Sequence, residues 1–136
     1  MKLIVCLDER GGMMFHHRRQ SRDRILIDDL LQMVGEDRLW IAPYSMLLFD
    51  GKEKEVSVSE ELLQKAEAGE WCFVENQSCI SALSDLEEVT VYWWNRHYPS
   101  DFYFDIDLSN EGFSSQFRED FVGSSHEKIT KEVFRR

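Results

Sequence analysis

The sequence predicts an α/β fold, a three-layer sandwich on a mixed, mostly parallel sheet with an antiparallel C-terminal hairpin. Three observations predict it. Lys2–Leu7, Leu39–Ala42 and Trp71–Val74 are short continuous apolar runs, the pattern of strands covered on both faces. Helical periodicity separates these runs early in the chain, which favours parallel pairing through crossovers. From Val89 onward strand patterns follow one another across polar turns, which favours antiparallel pairing.

Taken in order, Lys2–Leu7 is the first buried strand, and Asp8–Gly12 breaks it with turn residues. Ser21 is placed to cap a helix over residues 22–34, with Ile25, Leu26, Leu30, Leu31 and Val34 as its apolar stripe. Gly35 stops that helix. Leu39–Ala42 is the second strand, closed by Pro43, and Tyr44–Phe49 reads as a short helix. Val56 and Val58 alternate with polar residues as in a short strand. Ser59, followed by Glu60, Glu61 and Leu62, opens a helix expected to run to Glu70. Trp71–Val74 is a strand, Ser81–Glu88 a short helix or loop, and Val89–Trp94 a strand. Asp101–Leu108 alternates, with Phe102, Phe104, Ile106 and Leu108 on one side and Tyr103 and the aspartates on the other. Phe113–Phe121 and Lys128–Phe134 complete the expected strands.

The chain has 136 residues, 43% hydrophobic and 12% aromatic, too apolar to stay disordered. That length buries one core without disulfide staples, and no repeat or linker divides it, so a single domain over 1–136 is expected. Cys6, Cys72 and Cys79 are odd in number and form no C-x-x-C, so they read as reduced core thiols of a cytoplasmic protein. Leu3–Leu7 is too short for a signal peptide, and no stretch approaches the roughly 20 apolar residues of a membrane span. The net charge of −10 argues against nucleic acid and anionic membranes as partners, since both are polyanions. Residues 1–24 carry +3, residues 25–126 carry −15 and residues 127–136 carry +2. The basic ends would form one positive patch if they met in space.

Arg18-Arg19-Gln20-Ser21-Arg22-Asp23-Arg24 is the densest charge feature. Forked guanidiniums at a helix start can grip a phosphate or carboxylate together with N-terminal amides. The same run also reads as a solvated helix start. His16 and His17 are adjacent, diverge, and stand beside two arginines, so they are a poor chelate, and neither H-x-H-x-D-H, H-E-x-x-H nor C-x-x-C is present. Asp101, Asp105 and Asp107 share a face if the strand is regular. Such a face is ordinarily solvated, although three carboxylates also suit Mg²⁺ or Ca²⁺. No metal site is assigned. Ser124-Ser125-His126 reads as a polar segment entering a strand, and of Trp93 and Trp94 one is core and the other a cleft wall or interface residue.

The order of elements resembles the dihydrofolate reductases over most of the chain. Val89–Trp94, the polar Asn95–Ser100, Asp101-Phe102-Tyr103-Phe104, Phe113, Phe121, Ser125-His126 and Glu132–Arg136 follow that family's last strands. There an Asp-Thr-x-Phe segment leads to a Trp or Phe and a final hairpin. The buried first strand, Gly11-Gly12-Met13-Met14-Phe15 and an acidic helix start are similar too. The resemblance implies a shortened, dihydrofolate reductase-like fold and makes Asp23 the counterpart of the acid that binds the pterin and assists protonation. The departures are specific. The family's Gly-Gly at the cofactor phosphate is Glu75-Asn76 here, and its Gly-Arg-x-Thr is Pro43-Tyr44-Ser45-Met46, where Ser45 alone keeps a hydroxyl. A carboxylate at a pyrophosphate site costs sterically and electrostatically. No cofactor is therefore expected, and NADPH is disfavoured by Glu75-Asn76.

DERGGMMF, RRQSRD and SHEKITKEV resemble a small Firmicute-type family whose members are often labelled ribonuclease Z. That enzyme is a longer metallo-β-lactamase fold built on H-x-H-x-D-H, which this chain lacks. The expected function is binding of a small anionic or heteroaromatic ligand between Gly11–Phe15, Arg18–Asp23 and Ala42–Ser45. Arg18, Arg19, Arg22 and Ser45 would bind it, and Asp23 would be the catalytic candidate. The alternatives are an NADPH-dependent pterin-type reductase, a protein-interaction module and, last, a metal-dependent ribonuclease.

Overall fold

The computed structural model describes all 136 residues. Its main sheet is formed by β1 (Lys2–Leu7), β4 (Leu39–Ile41), β5 (Ser57–Val58), β6 (Trp71–Phe73), β7 (Glu88–Trp93), β9 (Ser114–Phe121) and β10 (Ile129–Arg135). Their order across the sheet is β5-β4-β6-β1-β7-β10-β9. The β5-β4, β4-β6, β6-β1 and β1-β7 pairs are parallel, and β10 runs antiparallel to both β7 and β9. The predicted α/β sandwich is therefore present. The apolar runs occupy the middle of the sheet because both of their faces are covered.

Side-chain alternation along β1 sorts two cores. Ile4 joins Ile41, Phe73 and Tyr92 beneath α1 (Arg24–Val34), whose Leu26, Leu30 and Val34 face the sheet. Leu3, Val5 and Leu7 face the other layer, where α2 (Leu62–Lys65), the 3₁₀ turn Ile80–Asp85 and the segment carrying Ile106 and Phe113 cover them. Burying each such side chain contributes roughly 1.5–3 kcal/mol.

Several elements differ from expectation. The cap of α1 is Asp23, not Ser21, and its carboxylate accepts from the amides of Ile25 and Leu26. Gly35 closes the helix at φ 61°, its N–H bonded to the Leu31 carbonyl. The helix expected over Ser59–Glu70 shrinks to Leu62–Lys65, because only Leu62 and Leu63 anchor it in the core before the chain returns to the sheet at Trp71. Met13–Phe15 lies not in a loop but in β2 (Gly12–Phe15), which pairs with β3 (Arg18–Arg19) and β8 (Phe102–Tyr103) in a second small sheet. Gly12 is needed there, since a Cβ would overlap the Ser100 hydroxyl. Beyond Tyr103 the expected strand breaks off, and the chain crosses the sheet irregularly. Asp101, Asp105 and Asp107 turn to separate donors: the His16 amide, the Cys79 amide, and the Ser109 and Asn110 side chains.

The basic residues of each end are spread along the central strands: Lys2 and Arg135 both lie beside Glu88 at the start of β1, while Arg19 lies with Cys6 at that strand's far end. No helix is long and apolar enough to cross a membrane.

Candidate functional site

The ends of β1 and β6 converge beside α1, and the β2–β3 hairpin closes over them. Cys6, Phe73, Val74 and Trp94 from the sheet, Met13 from the hairpin and Leu26 from α1 wall a cavity of about 20 Å³. That volume suits a single water. Arg22, Asp23, Ile27 and Leu48 also border a larger groove of about 440 Å³, whose far wall is Ser124 and Ser125.

Asp23 is the structural pivot. Its Oδ1 accepts from the amides of Ile25 at 3.0 Å and Leu26 at 3.1 Å. Its Oδ2 accepts from the Ser125 amide at 2.7 Å and lies 2.9 Å from the Ser125 hydroxyl. Burial pushes its pKa up, but the amides of Ser124, Ser125 and Leu26 and the Ser125 hydroxyl outweigh burial and bring it down to about 2. The resemblance leads one to expect a carboxylate open to a heterocycle. Here every acceptor position is engaged from within the chain, because residues 123–125 approach so closely that a Cβ on Gly123 would overlap Oδ2. The Arg24 amide is likewise taken, by the Ser124 hydroxyl at 2.9 Å. The helix start thus has no amides free for the anion grip expected from sequence.

Glu75 is the second pivot. The Arg19 guanidinium donates to it in a fork, Nε to Oε1 at 2.9 Å and Nη2 to Oε2 at 3.0 Å. The Ser45 hydroxyl adds a bond at 2.6 Å. Arg19 Nη2 also reaches the Tyr44 carbonyl at 3.0 Å, and the guanidinium stacks 4.4 Å from the Tyr44 ring centre. Two expected ligand groups, Arg19 and Ser45, therefore hold an internal carboxylate. Arg18 and Arg22 are exposed, and their guanidiniums make no ion pair or hydrogen bond, as is also true of Arg24.

Sequence reasoning missed Asp8, Tyr98, Ser125 and His126. Asp8 accepts from the amides of Arg10, Gly12 and Tyr98 and from Gln20 and Ser100, tying hairpin to strand end. His126 is buried, stacked on Trp94 at 4.6 Å, with Nε2 2.8 Å from the Tyr98 hydroxyl and Nδ1 2.8 Å from Ser125 Oγ. Burial and the nearby Arg96 charge lower its pKa, against an opposing pull from Asp23. A neutral ring that accepts at Nε2 and donates at Nδ1 satisfies both partners. No short motif marks this chain of contacts, since Ser125 lies 102 residues from Asp23. Trp94 is the cleft wall anticipated for one of the paired tryptophans, and Trp93 packs on the opposite face of the sheet. No three His, Cys, Asp or Glu side chains come together to hold a metal ion.

No protein-family model matches the chain, and no curated protein does. Solved structures do. A dihydrofolate reductase from Enterococcus faecalis, solved with NADP(H) and RAB-propyl, is similar at a TM-score of 0.66 and 14% identity, over 99% of this chain and 95% of that one. The fold is dihydrofolate reductase-like.

Proposed function

We propose that the protein binds a small anionic or heteroaromatic ligand on a reductase-like scaffold and does not work as an NADPH reductase. The observation that carries this is the buried Arg19–Glu75–Ser45 cluster. A dinucleotide pyrophosphate at the end of β6 would meet the Glu75 carboxylate where bare amides are needed, and the nearby cation and hydroxyl are already engaged. The residues there do not fit the cofactor. The ligand instead lies in the groove beside α1, with Arg22 and Arg24 gripping its charge and Ile27, Leu47 and Leu48 packing its body. Arg18 adds to the positive field, and Asp23 positions the helix start and Ser125 rather than exchanging protons. The three free cysteines support a cytoplasmic location.

Thermal shift with folates, nucleoside phosphates and inorganic phosphate tests this reading. A concentration-dependent rise in Tm with one of them, lost in the R22Q/R24Q double variant, is the expected result. No stabilisation by any would remove the proposal in this form. The ribonuclease reading predicts EDTA-sensitive cleavage of RNA, for which the separated histidines supply no ligand set.

A further inference from the structure

Adjacent β2 side chains point to opposite sides, so Met13 lines the cavity beside α1 while Met14 borders a different space. That space is a groove of about 550 Å³ walled by Met14, His17, Tyr44, Asn76, Asp101 and Phe102. Three properties set its chemistry. Tyr44 and Phe102 supply aromatic walls, one face of the Tyr44 ring being covered by the Arg19 guanidinium. Asp101 contributes a carboxylate that accepts only the His16 amide, at 3.1 Å. Asn76 Oδ1 is shut off from solvent and bonded to nothing, one of two such side-chain oxygens in the protein. An acceptor left in that state is unfavourable, and it gains by meeting a donor.

We propose that this groove binds a small organic cation, an ammonium group with a short apolar body. The ammonium would sit between the Asp101 carboxylate and the aromatic faces, and Asn76 would accept from the ligand's hydroxyl or N–H. Aromatic faces attract cations through their quadrupole, and a neutral body of similar shape gains only the burial. The site is separate from the proposed ligand groove beside α1 and does not depend on it.

Choline, its neutral isostere 3,3-dimethylbutan-1-ol and acetate serve as probes in an amide NMR titration of the whole protein. Choline should shift the Asn76 side-chain amide and the backbone of Asp101 and Phe102, and acetate should not. The isostere should bind about tenfold more weakly, as should choline to N76A and to D101N. Both variants should keep the wild-type Tm to within a few degrees, which separates a lost contact from a lost fold. Equal binding of choline and its isostere would overturn the proposal. So would shifts confined to residues outside the groove, or undiminished choline binding in both variants.

Discussion

Glu75 is held by the Arg19 guanidinium and the Ser45 hydroxyl. Its carboxylate is 9% exposed and its Arg19 partner 17%, so each charge depends on the other for solvation. E75Q or R19Q leaves one of them buried and uncompensated, and each should cost about 3 kcal/mol in urea unfolding. Asp23 makes a second residue-scale prediction. Its pKa is lower in the folded chain than in the unfolded one, so its stabilisation is complete above pH 4 and disappears as pH falls through about 2. That contribution is about 2 kcal/mol, and D23N should flatten this part of the acid-unfolding curve. His126 works in the same direction at higher pH: its lowered folded pKa means stability begins to fall below about 6.5, where the unfolded imidazole takes up a proton first.

At the scale of elements, the β2–β3 hairpin is what closes the cleft, and its turn carries strain. His16 and His17 occupy left-handed backbone at φ 50° and 62°, in a two-residue loop between the paired Phe15 and Arg18. Such loops prefer Asn-Gly. The H16N/H17G double variant should raise stability by about 1 kcal/mol, read as a higher Tm. The same two residues explain why the hairpin was hidden in the sequence, since histidines give no turn signal. The central strands were legible because burial on both faces leaves a plain apolar run. Asp101–Leu108 misled for a related reason. Only Phe102–Tyr103 has a ladder partner, β2; beyond it the alternation comes from a chain lying across one face of the main sheet, with Ile106 in the core. The α1 cap was misplaced by two residues, because Ser21 and Asp23 are equally good caps locally; Asp23 is the one that meets the Ile25 and Leu26 amides, and the distant Ser125 also bonds it.

At the scale of the molecule, the parallel pairing of the early strands and the antiparallel C-terminal pair could be anticipated from the alternation of apolar runs and helical stretches; the order of strands across the sheet could not. The candidate site was half legible. Asp23 and Arg19 line one cleft and Ser45 is joined to it through Glu75, but what they hold is the chain itself. No local pattern reveals that Glu75 reaches Arg19 across 56 residues. The charge map could only be conditional: sequence places basic groups at both chain ends, and the fold sets Lys2 and Arg135 at one end of the central strands and Arg19 at the other. The central claim is that internal pairing of Glu75 has taken over the cofactor side of the reductase-like scaffold. Calorimetric titration of NADPH into the wild-type protein tests it most directly. The account predicts no saturable heat and no rise in Tm at millimolar NADPH; saturable binding with a matching rise in Tm would contradict it.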